Sequence, residues 1–257
     1  PLEYGKRNSN VFYTGDGGDE IFAGYTFRYN KFLSLFKPNL SWKEKAELYL
    51  LCHERDWVPN QLELFGTKLN FSWERIYSFF KNYFDNDLSP LDQVFLSDFN
   101  GKLLYDWLPV NNAFEKYIDI NIGSVFLTAN MIEFATHIPW HKKYDDETIT
   151  GKLPIRSILL KHKGFGQLTP VKKGFSLDLI SLWNKSARDI VNTYINDDSE
   201  IVKEGIVKKE WINSAKVKLS DTNVQNDTSR YISKMFSLLA LEIWFRLFIS
   251  KNIKDTQ

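Results

Sequence analysis

The sequence predicts an α/β protein that is mostly helix, and three observations carry that prediction. A β-prone apolar run, Val11, Phe12 and Tyr13, stops at a turn containing Gly15, Gly17 and Gly18, and an apolar, helix-like segment follows. Strand, glycine turn and helix start are the parts of a ligand site at the carboxyl edge of a sheet. Past residue 40 apolar side chains recur at helical spacing over most of the chain. Apolar residues make up 43% of the 257, enough to build a sizeable core and to exclude global disorder.

In chain order, residues 8–14 are the best strand. Ser41 followed by Glu44 is a capping-box pattern, a hydroxyl at the cap and a carboxylate three later, and it opens a helix through Leu50 and Leu51. Ser89 and Pro90 supply a cap and a first-turn proline for a helix from Leu91 to Leu104. Residues 125–138 place Phe126, Leu127, Ala129, Ile132 and Ala135 at helical spacing. Pro154 opens a helix from Ile155 to His162, and further helices are expected over Asp178–Ile195, Lys208–Leu219 and Ser229–Ser250. Residues 85–90, 142–151 and 221–227 read as connections. The pattern divides into residues 1–40, with strand, acidic glycine turn and following helix, and a mainly helical 41–257, with no composition shift that marks a domain boundary.

Composition excludes several functions. Lysine and arginine number 33 against 32 aspartates and glutamates, so the basic excess of a nucleic-acid or anionic-membrane binder is missing. The most apolar run, Phe236–Ile249, is shorter than the roughly 18–20 apolar residues that span a bilayer, and it carries Glu242 and Arg246 four apart, the spacing of an exposed helix pair. One cysteine, Cys52, rules out an internal disulfide and a cysteine-rich zinc site and reads as core filler. Such low cysteine use fits a reducing compartment. His53, His137, His141 and His162 show no metal-ligand spacing, and Pro139 interrupts the helical relation between the middle two.

The carboxylates are the unusual part of the glycine turn. Asp16, Asp19 and Glu20 sit in or beside it. A phosphate held there needs a bridging divalent cation, or lysines from elsewhere in the chain. The plainer alternative is a strand-to-helix turn in which Asp16 caps the helix and Asp19 and Glu20 suit its positive end.

Thr14-Gly-Asp-Gly-Gly-Asp-Glu20, followed by Ile-Phe-Ala-Gly-Tyr25, resembles the Ser-Gly-(Glu/Asp)-Gly-x-Asp-Glu-(Leu/Ile/Val)-Phe-x-Gly-Tyr signature of the asparagine synthetase family, in its ATP-dependent synthetase domain. Two later segments agree in order. Phe126-Leu127 and Ile132-Glu-Phe-Ala135, ending at Ile138-Pro139, are similar to the family's Pro-Phe-Leu-Asp…Val-Glu-Phe-Ala…Leu-Pro stretch. Lys152 and Arg156, then Pro170-Val-Lys-Lys-Gly-Phe175, resemble its Lys…Leu-Arg and Arg-x-Lys-x-Gly-Phe elements.

The resemblance implies the mostly helical carboxyl-terminal part of an adenine-nucleotide-hydrolase-like (PP-loop ATPase) domain with a doubly wound parallel sheet. It implies ATP-driven amide formation through an acyl-adenylate. Lys172 takes the place of a cation facing the phosphates, with Lys173 beside it as a substitute. Asp16 takes the place of the family's glutamate near the reacting centre, where it accepts the amine proton. Asp19 aligns with the carboxylate that helps to hold Mg²⁺ and pyrophosphate. Backbone N–H groups of Gly15, Gly17 and Gly18, the Thr14 hydroxyl, and Lys152 with Arg156 on one helix face are the further ligand contacts it implies. For both lysine sets a solvated surface is the alternative reading.

The family's Ser-Gly-Gly-x-Asp-Ser loop and its glutaminase domain have no match in the chain, so the expectation is a partial synthetase domain, with a glutaminase domain upstream or in a partner. The other implied partners are a small-molecule carboxylate and ammonia or glutamine, with no nucleic acid and no membrane, in the cytoplasm; a homodimer is compatible. Asparagine from aspartate is the default. Residues 118–124 and Val125-Phe-Leu-Thr128 depart from the family pattern, and no arginine occurs from Val110 to Trp140. Those departures leave open another carboxylate, such as a peptide, antibiotic or surface-polysaccharide precursor, or a non-catalytic partner that keeps the fold.

Overall fold

The computed structural model describes residues 2–53, 61–162, 178–220 and 227–253. Among them the chain forms two compact units, the first from the described residues of Pro1–Cys52 and Ile76–Gly174, the second from those of His53–Arg75 and Phe175–Gln257.

The first unit holds the sheet. Strand β1 (Val11–Thr14) pairs in parallel with β2 (Asn121–Ser124), with Val11 opposite Asn121 and Thr14 opposite Ser124. The sequence reading found β1 and missed β2, because Asn121-Ile-Gly-Ser124 is short, contains a glycine and lacks the alternation of a strong strand signal. Parallel strands are ordinarily covered on both faces, yet Val11 and Tyr13 are 45% and 77% exposed.

Helices make up most of the remaining described residues of the unit. Ser41 and Glu44 close the capping box that opens Trp42–Leu51, and buried Cys52 ends that helix. Ser89 caps Pro90–Ser97 as expected, but the helical path does not stop near Leu104. It continues as a π-helix over Asp98–Trp107 and then as an α-helix over Leu108–Ile118. The wider turn is visible where the Leu108 N–H donates to Leu103 O, five residues back. Thr128 caps Ala129–His137 and Leu153–Lys161 follows a loop.

Four segments distant in sequence meet in one apolar cluster. Ile21, Phe22 and Ala135 are buried, with Phe99, Phe126, Met131, Ile138 and Ile155 packed against them. A second, polar anchor lies beside it. Arg28 grips Asp98 with two nitrogens, Nη1 to Oδ1 at 2.9 Å and Nη2 to Oδ2 at 3.0 Å, and both residues are buried. The Tyr49 hydroxyl donates to Oδ1 at 2.7 Å and that of Tyr29 to Oδ2 at 3.3 Å. Burial is the main reason the Tyr29 and Tyr49 hydroxyls titrate well above their ordinary range, and the Asp98 charge adds to it. Four donors on one carboxylate satisfy the condition under which a buried charge is tolerated.

The second unit packs around the long helix Thr228–Phe248, whose Ile232, Met235, Leu238 and Phe245 face Trp183, Val191, Ile201, Trp211 and Ile212. Glu242 and Arg246 do pair, at 2.6 Å, but not as an exposed pair. Glu242 is fully buried and accepts the backbone N–H groups of Glu200 and Ile201, both at 2.9 Å, at the start of the short helix Glu200–Lys203. No helix among the described residues is long and apolar enough to cross a membrane.

Candidate functional site

The acidic glycine turn hangs from the end of β1. Gly17 has φ +83, a left-handed conformation that glycine adopts without penalty, and a Cβ there would stand 2.3 Å from Leu127 Cδ2. Gly18 lies against the Phe126 ring, 3.1 Å from where its own Cβ would be. These two glycines let the Phe126–Leu127 segment close on the turn. Gly15 differs, because nothing lies within 4 Å of the position its Cβ would take. It is the turn glycine with open space beside it.

Asp16 does not cap the following helix, so the plain-turn alternative fails for this residue. The cap of Gly18–Ile21 is Gly17, with no side-chain bond. Both Asp16 oxygens are held instead. Trp107 Nε1 donates to Oδ1 at 2.6 Å, Asn111 Nδ2 donates to Oδ2 at 2.6 Å, and Thr14 Oγ1 donates to Oδ2 at 2.6 Å. Ser124, paired with Thr14 across the sheet, donates its hydroxyl to the Asp16 carbonyl at 2.5 Å. Trp107 and Asn111 are absent from the sequence reading, and Ser124 entered it only as the end of a segment that departs from the family pattern. Only the four-residue spacing of the first two hints at a shared helix face, and nothing in the sequence says what that face meets.

Asp19 points the other way. Lys152 Nζ lies 2.6 Å from its Oδ1, so the structure brings together the acidic turn and the first of the expected cations. Tight backbone geometry sets up this contact. A Cβ on Gly24 would fall 1.9 Å from Asp19 Oδ1, and one on Gly151 would fall 1.9 Å from the Ala23 carbonyl oxygen. Ala23 and Lys152 both have positive φ, at 62 and 58, in the left-handed region that non-glycine residues seldom occupy. The Lys152 N–H donates to Phe22 O at 2.9 Å, which fastens the two loops. Lys152 stands one residue before the helix Leu153–Lys161, and the Arg156 N–H returns to Lys152 O at 2.9 Å. Arg156 Nε donates to Gly151 O at 2.9 Å. Lys172 and Lys173 lie outside the described residues.

Glu20 is buried and accepts the Tyr25 hydroxyl. Burial raises its pKa from the ordinary carboxylate value; the Tyr25 bond opposes that rise, and nearby Asp98 and Asp19 add to it. Tyr25 in turn lies under the Arg28 guanidinium, 4.0 Å from its ring centre, and 4.5 Å from the Lys102 ammonium. Burial lifts the Tyr25 hydroxyl far above its usual range, and the Glu20 carboxylate adds to the effect. The polar chain thus runs from the turn through Glu20 and Tyr25 to the Arg28–Asp98 pair. Farther back, Lys143 is buried with its ammonium 5.3 Å from the Phe95 ring centre. Burial pushes that ammonium down from 10.5 to about 8, against a weaker pull from Asp92.

Among the described residues no group of three His, Cys, Asp or Glu side chains forms a metal cage. The family model described as asparagine synthase matches residues 3–246. No curated protein and no solved structure matches the chain.

Proposed function

The chain belongs to the asparagine synthase family, whose chemistry is ATP-dependent amide formation, and from that premise we propose that the acidic glycine turn and the Lys152 loop border the site where a carboxylate is activated by ATP. The observation that carries this reading is the 2.6 Å contact between Asp19 and Lys152, which joins two of the segments shared with the family at one corner.

In this reading a substrate carboxylate oxygen attacks the α-phosphorus of ATP and pyrophosphate leaves. Ammonia then attacks the acyl carbon, AMP leaves with the bonding electrons, and the nitrogen gives up a proton to Asp16. About four lone-pair positions are available on a carboxylate. Three donors occupy Asp16, one on Oδ1 and two on Oδ2. The remaining acceptor position on Oδ1 suits the incoming N–H. Lys152 and Arg156 offer positive charge to pyrophosphate, and open space beside Gly15 suits the approach of a ligand to its backbone. Lys172, by its place in the Lys-Lys-Gly-Phe segment, supplies a further cation. A positioned charge of this kind can be worth about a hundred- to thousand-fold in rate.

Bound together with ATP, magnesium would supply positive charge against the developing phosphate charge. It is commonly held by one or two carboxylates together with phosphate oxygens and waters. Asp19 is the residue suited to that role; its carboxylate would be shared with Lys152.

Asparagine from aspartate, with ammonia or glutamine as donor, is the substrate assignment we favour. The test is pyrophosphate release from Mg·ATP by the full-length protein, with and without aspartate. Aspartate-dependent release supports the assignment. Release that ignores aspartate ends the assignment, and release that depends on a different carboxylate replaces it, a reading favoured by the altered 118–128 segment. No release with any carboxylate leaves a non-catalytic partner. Lys172→Ala is expected to lose pyrophosphate formation and keep its fold.

A further inference from the structure

We propose that Trp107 and Asn111 are positioning residues for Asp16, an inference that rests on the catalytic reading of Asp16 given above. The two side chains come from consecutive elements of one helical path, Trp107 ending the π-helix and Asn111 lying in Leu108–Ile118. Each takes a different oxygen of the same carboxylate at 2.6 Å. A single donor leaves a carboxylate free to turn about its Cβ–Cγ bond; donors on both oxygens fix its plane. Thr14 adds a third contact from the strand side.

The chemistry of the donors fits the task. An indole N–H and a carboxamide are neutral, so they orient the carboxylate without cancelling its charge, whereas an arginine or lysine would compete with the substrate nitrogen for it. The far end of the same helical path is fixed independently. Asp98, the first π-helical residue, is held by Arg28, Tyr29 and Tyr49. The path from Asp98 to Asn111 therefore acts as a strut between a rigid polar anchor and the reactive turn. π-Helical insertions recur at functional sites because they re-aim the side chains that follow. Here the re-aimed side chain is the Trp107 indole.

The experiment has two arms. Nuclear magnetic resonance of the full-length protein follows the tryptophan indole N–H signals, with Trp107 identified as the one lost in Trp107→Phe. The Trp107 signal is expected to move upfield in Asp16→Asn and in Asp16→Ala. Kinetics then compares the two half-reactions: Mg·ATP–pyrophosphate exchange and amide formation from ammonia, with aspartate as the carboxylate. In Trp107→Phe and in Asn111→Ala the ratio of amide formation to exchange is expected to fall about ten- to a hundred-fold, the range for a lost charged hydrogen bond or a small misplacement. Asn111→Gln, which keeps the donor, should restore part of it. Asn111→Asp, which faces one carboxylate with another, should be the worst of the series. An indole signal indifferent to Asp16, or an equal loss in both half-reactions, overturns the proposal. A wild-type protein without exchange overturns the reaction proposed above instead, and the indole signal then decides whether Asp16 is held.

Discussion

Lys152 and Asp19 form an ion pair at 2.6 Å that fastens the loop before Leu153–Lys161 to the acidic turn. Lys152 makes this contact from a left-handed backbone conformation, φ 58, which costs a non-glycine residue of order 1 kcal/mol. Lys152→Gly relieves that strain and deletes the ammonium. Because partly exposed pairs are worth at most about 1 kcal/mol, the two changes nearly offset and the variant should melt close to wild type. Its pyrophosphate formation should nevertheless drop by at least about tenfold, as read in a release assay. A variant as active as wild type would show that Lys152 serves the loop alone.

Two glycines at this corner should behave in opposite ways. Gly151→Ala drives a Cβ to 1.9 Å from a backbone carbonyl, that of Ala23, which has no side-chain freedom with which to yield. Thermal unfolding should show a loss of about 1–3 kcal/mol. Gly15→Ala meets nothing within 4 Å and should unfold like wild type, while Mg·ATP binding weakens. Equal stability in both variants would contradict the packing described for the turn.

The buried Arg28–Asp98 pair holds the first residue of the π-helix. Asp98→Ala removes the carboxylate that answers a buried guanidinium and should cost about 3–5 kcal/mol in denaturant unfolding. A cost under about 1 kcal/mol would mean that the pair is not the anchor inferred for the strut.

Lys143 gives a pH-dependent prediction. Its folded value, about 8, lies below the ordinary 10.5. Between those values the unfolded chain binds more protons than the folded one, so this residue makes stability rise with pH across that window. Below about pH 8 a charged ammonium is held in a buried place at a cost. Lys143→Met should therefore be the more stable protein at pH 7, by on the order of 1–3 kcal/mol, and its advantage should shrink as pH rises from 8 to 10.5. Chemical denaturation of both proteins across that range checks it. A pH-independent difference would rule out a titrating Lys143.

Local features of this chain were readable from sequence and long-range ones were not. The Ser41–Glu44 capping box, the Ser89 cap and the strand at Val11–Thr14 depend on neighbours a few residues apart, and all three formed. β2 depends on pairing with a strand more than a hundred residues earlier, and its own four residues are weak. Glu242 and Arg246 show the same limit. Their spacing predicts an ion pair, which exists, but tertiary packing buries Glu242 and turns it into a cap for a helix from another part of the chain. At the candidate corner the Asp19–Lys152 contact joins two segments that the motif and its order along the chain had singled out. Trp107 and Asn111 were not singled out, because a helix face carries no mark of the carboxylate it will meet. The division into two units also leaves no trace in composition.

The most direct test of the whole account is Mg·ATP–pyrophosphate exchange in the full-length protein, comparing wild type with Asp19→Asn, which keeps the shape of the side chain and removes its charge. The account predicts carboxylate-dependent exchange in wild type and a loss of about a hundred-fold or more in the variant, with an unchanged fold by circular dichroism. Exchange at the wild-type rate in Asp19→Asn would remove the acidic turn from the phosphate site and contradict the central claim.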